Sequence, residues 1–362
     1  MRLRPILLAA ASLALLSHAA RADFTSDSKR KAATATGRAD KWDGPTTGPK
    51  AASAKTVVFV AGDMKNGGIL GVSEGVEQAA RAIGWTVRVL DGQGTVSART
   101  AALNQALTLK PDGIVVGGFD TNEQSVGFKA AADAGIPLVG WHSGPVPGPD
   151  AGLFANVTSV SADVAATAAM QAVADSDGHA GVVIFTDSQY QIALFKARAM
   201  EAVIKKCPGC TVLSFEDSPI GESSNRMPQL TTSLLQRFGA KWTYSLAIND
   251  LYFDFMPPAL SAAGIAGDGP PKAISAGDGS ESAFQRIRAK QYQMATVPEP
   301  LNLQGWQLVD ELNRAFSKQK WSGYVPGVHL VTADNIGFDG GPNNVFDPDN
   351  AYRDHYKAIW GK

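Results

Sequence analysis

A strand–turn–helix–strand unit occupies residues 55–91 and sets the architecture expected for the rest of the chain. Its first segment, Thr56–Ala61, is a continuous apolar run rich in β-branched residues, which is typical of a strand buried on both faces of a parallel sheet. A turn rich in Gly, Asp and Asn follows, and apolar residues then recur at helical spacing from Ile69 to Ile83. Thr86–Leu90 is a second strand. The unit is therefore predicted to be a right-handed βαβ crossover.

The same alternation of strands and helices continues through most of the chain. Two arrays of similar size predict an α/β protein with two doubly wound domains. One more helix, Leu301–Phe316, and one more strand, Val328–Thr332, follow the second array and predict that the chain returns to the first domain. Further strands are predicted near residues 113–117, 136–141, 181–185, 211–215, 242–247, 273–275 and 293–297.

The N-terminus has the pattern of a secretory signal peptide. Arg2 and Arg4 precede the apolar run Ile6–Leu16, and Ala20–Ala22 fits a small-x-small cleavage site. The apolar run is too short to span a membrane. We therefore predict that residues 1–22 are a signal peptide and that the protein is exported to the periplasm.

The two ends of the mature chain give weaker signals. Residues 23–54 are polar and without periodicity, so they are predicted to be a flexible N-terminal segment. The C-terminal tail, residues 337–362, ends in an aromatic run whose place in the fold the sequence does not indicate. The chain carries 33 Lys and Arg against 34 Asp and Glu, with no basic stripe, which argues against a nucleic-acid partner.

Cys207 and Cys210 form a CxxC pair between a predicted helix and a predicted strand. A thioredoxin-type pair opens a helix instead, and a zinc site needs two further ligands. The pair is therefore predicted to be a structural turn and a candidate disulfide in an oxidising compartment. The chain also lacks the GxGxxG, GxxxxGK[ST] and HExxH patterns, so no cofactor or metal is predicted.

A GxSxG pattern spans Gly71–Gly75 and raises the alternative of an exported α/β hydrolase. A nucleophile elbow requires its serine on a sharp turn directly after a strand. Here Ser73 lies within a predicted helix, and no partner base is visible. The hydrolase is therefore the less favoured interpretation.

Polar and aromatic residues follow the predicted strands in both domains. Ligands of open α/β sheets bind at the carboxyl ends of the strands, so these positions are the candidate site. Aromatic rings can stack on the C–H faces of a sugar, while carboxylates and amides bond its hydroxyls. For any single Asp or Asn, capping of the next helix is the alternative. The candidate residues are Asp63, Met64, Lys65, Asn66, Phe119, Asp120, Trp141, His142, Asp187, Tyr190, Asn249, Asp250, Tyr252, Asp278 and Glu299.

From about Lys55 to Ile336 the chain resembles type I periplasmic binding proteins of the ribose- and galactose-binding class, which serve ABC importers. The segments that carry the resemblance are GDMKNGG, LKPDGIVVGGFD, AGIPLVGWH, SLAINDLYFDF, SAGDGSESAFQRI and QMATVPEP. The resemblance implies two Rossmann-like lobes joined by a three-strand hinge. Lobe 1 would comprise residues 55–156 plus 299–331, and lobe 2 residues 157–298 plus 332–336. Hinges would fall near Asn156-Val157, Val297-Pro298 and Thr332–Asp334.

By the same resemblance, Asn249 and Asp278 match ligand contacts of the second lobe, and Asp63–Asn66 match those of the first loop. Trp141 or His142 matches the contact after the fourth strand. The chain departs from the pentose-binding pattern at four places, which leaves the identity of the sugar open. These are Trp141-His142 in place of Asp-Arg, Ala193–Phe195 in place of an Arg, Met64-Lys65 in place of an aromatic pair, and Pro298-Glu299 in place of a Gln.

The resemblance implies a monomeric periplasmic receptor, without catalytic activity, that closes on a small-molecule ligand, a sugar or polyol, and delivers it to an ABC transporter permease. A receptor for a quorum or chemotactic signal is the main alternative, because a Trp at the end of the fourth strand, here Trp141, is also similar to the pattern of autoinducer receptors of the same superfamily. A repressor of the lactose type shares the fold but carries a DNA-binding headpiece, and a surface-lattice role stays open. Walls of the cleft are expected from Phe119, Trp141, Tyr190 and Tyr252, and hydrogen bonds from Asp63, Asn66, Asp187, Asn249, Asp278 and Glu299.

Overall fold

The computed structural model describes residues 23–362, which form two α/β lobes, each built on a six-stranded mixed sheet. The signal peptide predicted for residues 1–22 lies outside the described residues. Within residues 23–362, no helix combines the length and the apolar character that crossing a membrane requires.

The first lobe contains a sheet with the strand order β2-β1-β3-β4-β6-β5, in which β5 alone runs antiparallel to its neighbour. β1, which is apolar and buried at every position after Thr56, lies inside the sheet between β2 and β3, as the sequence predicts for a strand covered on both faces. The strands are β1 (Thr56–Ala61), β2 (Thr86–Asp91), β3 (Gly113–Gly117), β4 (Leu138–Trp141), β5 (Gly148–Asp150) and β6 (Leu153–Val157). The helices are α2 (Gly67–Ile83), α3 (Val96–Thr108) and α4 (Ser125–Asp133), numbered after an N-terminal helix, α1, over residues 23–35.

The second lobe repeats this plan with the order β12-β11-β10-β9-β7-β8, in which β12 is the antiparallel edge. A disulfide between Cys207 and Cys210 closes the turn between α6 and β8. The strands are β7 (Gly181–Thr186), β8 (Thr211–Asp217), β9 (Tyr244–Ala247), β10 (Lys272–Ser275), β11 (Ala295–Thr296) and β12 (Val331–Thr332). The helices are α5 (Ser161–Asp175), α6 (Gln191–Lys206), α7 (Ser223–Phe238), α8 (Leu251–Asp254), α9 (Pro257–Ala262) and α10 (Glu281–Ala289).

Between β1 and β12 the chain crosses between the lobes three times. It does so after β6, after β11, and between α11 (Leu301–Phe316) and β12. The third crossing lies between Tyr324, in the core of the first lobe, and Leu330, in the core of the second. It therefore precedes residues 332–334, where the sequence analysis expected it.

Two glycines bring α11 close to α2 in the first lobe. A Cβ atom at Gly75 would lie 2.8 Å from the carbonyl oxygen of Asn302, and one at Gly305 would lie 2.5 Å from the carbonyl carbon of Gly75. Only glycine fits such an approach of two backbones. The contact fixes α11, and with it the crossing after β11, against the first lobe.

The N-terminal segment differs from the flexible chain predicted for residues 23–54. Residues 23–35 form α1, whose Ala32 is buried in the core of the second lobe. Farther along, the Trp42 ring packs edge-on against Tyr356, and the Asn313 side chain bonds the backbone at Pro49. The segment therefore leads from the second lobe to the first. The residues that attach the segment to the lobes are few and widely spaced, so they produce no periodic pattern in the sequence.

The C-terminal tail follows the same route. Phe346 packs with Ile287 in the second lobe. The tail then forms α12 (Tyr352–Trp360) on the first lobe, where Trp360 stacks on Trp306 with 5.5 Å between the ring centroids. Both terminal segments therefore contact both lobes.

Glu311, a buried residue of α11, makes the stability of the fold depend on pH. Burial raises the pKa of its carboxyl group to about 7, even though Ser322 donates hydrogen bonds to it. A carboxyl group whose pKa is raised on folding costs stability as the pH rises from the unfolded pKa, about 4.3, to the folded one. We expect Glu311→Gln to unfold at a higher temperature than the wild type at about pH 8 and at the same temperature near pH 4. Calorimetry at both pH values checks this, and an equal difference at both would contradict it.

Candidate ligand-binding cleft

A cleft lies between the lobes at the carboxyl ends of the central strands of both sheets. Loops after β1, β2, β3 and β4 supply the wall from the first lobe, and α6 with the loops after β7, β8, β9 and β10 supplies the wall from the second. This is where open α/β sheets bind their ligands. The polar and aromatic residues on its walls are Asp63, Asn66, Trp141, His142, Tyr190, Lys196, Asn249 and Asp278, and the larger apolar ones are Ile69, Ile192, Ile220 and Ile248.

The cleft brings together seven of the fifteen candidate residues. They come from five separate loops, and strand-end position was the signal that identified them. The seven are Asp63, Asn66, Trp141, His142, Tyr190, Asn249 and Asp278.

The structure places two predicted wall residues in the cores of the lobes. Phe119 is fully buried in the first lobe, and Tyr252 is fully buried in the second, where its hydroxyl donates to the carbonyl oxygen of Ser218 at 2.7 Å. Neither ring lines the cleft, so neither is positioned for the stacking expected of it. An aromatic residue just beyond a strand can continue the core, and sequence position does not separate the two outcomes.

Two predicted hydrogen-bonding carboxylates hold loops instead of facing the cleft. Asp187 accepts a hydrogen bond from the backbone N–H of Ile220 at 2.9 Å, and Asp250 accepts one from Gly279 at 2.8 Å. These contacts match the capping alternative for strand-end carboxylates, because they satisfy backbone donors that a loop would leave unpaired. Both residues therefore shape the cleft from behind its wall.

Met64 and Lys65 also lie off the cleft wall. Lys65 is exposed, and Met64 packs at the edge of the first-lobe core. Their neighbour Asn66 lines the cleft and also caps α2, because its side-chain oxygen accepts from the N–H of Gly68 at 2.9 Å. The first loop therefore presents Asp63 and Asn66, and not the residues between them.

A histidine held between two carboxylates forms the floor of the cleft. Nδ1 of His142 lies 3.6 Å from Oδ1 of Asp278, and its Nε2 lies 3.2 Å from Oε1 of Glu299. The imidazole stacks on the ring of Trp141 with 3.8 Å between centroids. The two carboxylates and the indole ring therefore hold the imidazole in one position and orientation.

Glu299 is fully buried behind this histidine and supports the cleft without lining it. Its Oε2 accepts hydrogen bonds from Ser159 and Gln304, both at 2.6 Å. Burial alone would raise its pKa, but the contacts with His142, the charge of Lys196 and the hydrogen bond from Ser159 together outweigh burial and lower the pKa to about 2. Gln304 in turn accepts from Trp141 Nε1 at 2.7 Å, so one carboxylate positions both cleft rings.

Asp278 is the carboxylate that reaches the cleft itself. Its Oδ2 accepts a hydrogen bond from Asn249 Nδ2 at 2.6 Å. Burial raises the pKa of Asp278, while the charges of His142 and Lys196 oppose that rise. The group offers a ligand a desolvated acceptor, which is the setting in which a charge-assisted hydrogen bond is strongest.

Lys196 lines the cleft and was missed by the sequence analysis. It lies on α6, away from any strand end, and its side chain is buried. A signal was present, because Lys196 falls on the buried stripe of α6 between Ile192 and Met200. A lysine on such a stripe needs a polar partner, which a cleft can supply.

The lobes contact each other directly beside the cleft. Asp120 of the first lobe accepts two hydrogen bonds from Gln191 of the second, at 2.9 Å from the backbone N–H and 2.8 Å from the side-chain amide. Arg99, held by Glu123, donates to the hydroxyl of Tyr190 across the same gap at 2.8 Å. Asp120 therefore caps α6 of the opposite lobe, and the structure shows the lobes closed.

Removing the Asp120 carboxylate should favour the open form. Asp120→Ala loses two bonds to a charged acceptor, so we expect the ratio of closed to open protein to fall by about tenfold or more. Small-angle X-ray scattering of the ligand-free protein would then show a larger radius of gyration. The control is Asp133→Ala, an exposed carboxylate of α4. An unchanged radius for Asp120→Ala would contradict the expected role.

A family model described as a periplasmic binding protein domain matches residues 57–320. A comparison with curated protein sequences found no significant match.

Solved structures share the two-lobed fold at low sequence identity. An ABC transporter solute binding protein from Agrobacterium vitis with bound α-D-tagatopyranose is 17% identical, with a TM-score of 0.70 over 81% of this chain and 99% of its own. A second from the same organism, with bound allitol, is 18% identical, with a TM-score of 0.65 over 77% and 96%. A glucose-galactose binding protein from Geobacillus stearothermophilus is 17% identical, with a TM-score of 0.69 over 79% and 100%.

The resemblance stated from the sequence motifs is therefore confirmed by the family model, which covers most of the chain and both lobes. The chain belongs to the periplasmic binding protein family.

Proposed function

We propose that this protein captures a sugar or polyol between its lobes in the periplasm and presents it to an ABC transporter permease. The observation that carries the proposal is the buried carboxylate Asp278, which is bonded to Asn249 and faces His142 in the interlobe cleft. Acceptor and donor groups packed against an aromatic ring are the means by which proteins bind hydroxyl-rich ligands out of water.

The comparisons support the same ligand class. Three structure neighbours are described as binding, or hold, allitol, tagatopyranose, or glucose and galactose. These ligands are hydroxyl-rich, and the polar wall of this cleft suits that chemistry. Trp141 supplies a flat apolar surface beside the hydrogen-bonding groups.

Closure of the lobes would provide the mechanism. A ligand that touches both walls binds the closed form better than the open form, and so shifts the population towards it. Asp63 and Trp141 belong to one wall and Asn249 and Asp278 to the other, so a ligand bonded to both sides would hold the lobes together. A permease that recognises the closed arrangement would then receive loaded protein.

Export through cleavage of residues 1–22 and action as a monomer belong to the same proposal. We assign the chain no catalytic role. Ser73, the centre of the GxSxG pattern, is buried within α2 instead of standing on a strand–helix turn.

A thermal-shift screen of residues 23–362, unfolded and refolded to remove any bound ligand, tests the proposal. The panel holds pentoses, hexoses, polyols, sugar acids and furanosyl signals. A ligand at about 100 times its Kd adds about 2.7 kcal/mol of stability, which is a measurable rise in melting temperature. A sugar or polyol that raises the melting temperature of the wild type but not of Asn249→Ala supports the proposal. The proposal would be overturned if no compound of the panel raised the melting temperature, or if furanosyl signals alone did so.

A further inference from the structure

We propose that Lys196 and Asp278 together recognise an uncharged hydroxyl group of the ligand, and so select neutral polyols over sugar acids and amino sugars. The inference rests on the proposed function and adds to it a specificity-determining residue, Lys196, and a narrower class of ligand.

The first observation is the incomplete hydrogen bonding of the Lys196 ammonium group. Lys196 is only 2% exposed, and its Nζ donates to the carbonyl oxygen of Ala276 at 3.0 Å. That is its one hydrogen-bond partner among residues 23–362. An ammonium group has three donors, so two are left for a ligand in the cleft that this side chain lines.

The second observation is the gap between the two charged groups. No carboxylate oxygen of the described residues lies within 4.0 Å of Lys196 Nζ, so Lys196 and Asp278 form no direct ion pair. Both groups nevertheless line the same cleft, and Lys196 Nζ is bonded to Ala276, two residues before Asp278 in the chain. Because the ammonium and the carboxylate line one cleft without touching, a polar group of the ligand can contact both.

Gly277 keeps this gap accessible. A Cβ atom on Gly277 would lie 3.1 Å from Lys196 Nζ, and the residue has a φ of 112°, which side chains with a Cβ rarely adopt. The ammonium group is thus left uncovered beside Asp278.

Hydrogen-bond chemistry then selects the ligand group. An ammonium only donates and a carboxylate only accepts, so a group that touches both must accept from Lys196 and donate to Asp278. A hydroxyl does both. A ligand carboxylate would satisfy Lys196 but repel Asp278, and a ligand ammonium would satisfy Asp278 but repel Lys196.

The experiment is a calorimetric titration of refolded residues 23–362, with allitol, D-tagatose, D-galactose and D-glucose as neutral probes. The second set of probes consists of the deoxy and amino derivatives at each carbon of galactose and glucose, together with the matching uronic acids. We expect a neutral probe to bind and the deoxy and amino derivatives at one or two carbons to bind at least about tenfold more weakly.

Lys196→Met and its milder counterpart Lys196→Gln test the residue. We expect about a tenfold or greater rise in Kd for the neutral probe, and a smaller penalty for the amino derivative at the sensitive carbon, because the repelling ammonium is gone. A purely structural role for Lys196 would weaken all probes alike. The control is Lys205→Met, on the exposed side of α6, which should bind as the wild type does.

The possible outcomes distinguish failure of the proposed role of Lys196 from failure of the proposed sugar-receptor function. Binding of a uronic acid or an amino sugar tighter than any neutral probe would overturn this inference and leave a periplasmic receptor in place. So would a folded Lys196→Gln that keeps wild-type affinities. If no probe binds to the wild type, the proposed sugar-receptor function falls, and this inference falls with it.

Discussion

Asp278→Ala is expected to reduce ligand affinity by at least about 100-fold. The substitution removes the acceptor of the cleft and also leaves Asn249 and His142 without the carboxylate that they share. Buried polar groups that lose a partner pay their full desolvation cost, so the loss exceeds that of one hydrogen bond. Titration calorimetry with the best probe from the thermal-shift screen measures the effect.

The matched control is Asp163→Ala, an exposed carboxylate in the first turn of α5 that lies outside the cleft. It should bind the probe with wild-type affinity. Asp278→Ala must also retain the circular dichroism of the folded wild type for the comparison to hold. A folded Asp278→Ala that binds within about threefold of the wild type would contradict the assigned site.

Glu299→Leu is expected to destabilise the protein by about 3–5 kcal/mol at neutral pH. The substitution leaves Ser159 and Gln304 with unpaired polar atoms in a buried position, and it removes the carboxylate that lies 3.2 Å from His142 Nε2. Because the pKa of Glu299 is about 2 in the folded protein, its stabilising contribution is present above the unfolded pKa, about 4.3, and is lost as the pH falls towards 2.

Chemical denaturation across this pH range measures the effect. We expect the difference in unfolding free energy between wild type and Glu299→Leu to be largest near pH 7 and to shrink steadily below about pH 4. Glu74→Gln, on the exposed side of α2, is the control and should match the wild type throughout. A difference that does not change with pH would show that the lost contribution is packing and not charge.

The sequence predicted the strands well where burial leaves a strong pattern. Thr56–Ala61 is apolar at every position after the first because β1 is covered on both faces, and its predicted bounds are those observed. β5 was not predicted, since a three-residue strand in a loop rich in Gly and Pro has no period to detect. The helical segment after Asn249 is divided into α8 and α9, because Pro257 and Pro258 cannot donate backbone hydrogen bonds.

The site was predictable only where function follows strand position. Asp63, Trp141 and Asn249 lie at or just beyond the carboxyl ends of strands, and the strand-end rule finds them. Lys196 and Arg99 lie on helices. Lys196 matters through a loop of its own lobe some 80 residues away, at Ala276, and Arg99 matters through Tyr190 of the opposite lobe. Contacts of this kind depend on how two segments that are distant in the chain pack together, and they cannot be predicted from the neighbouring residues in the sequence.

The terminal segments change how the two lobes should respond to unfolding. Besides the three hinge crossings, the N-terminal segment runs from Ala32 in one core to Trp42 on the other, and the tail runs from Phe346 to Trp360. Melting of either lobe would therefore detach anchors that cover the other. Two cores tied in this way share one cooperative unit, so a calorimetric scan of this two-lobed chain should show a single transition whose calorimetric and van't Hoff enthalpies agree.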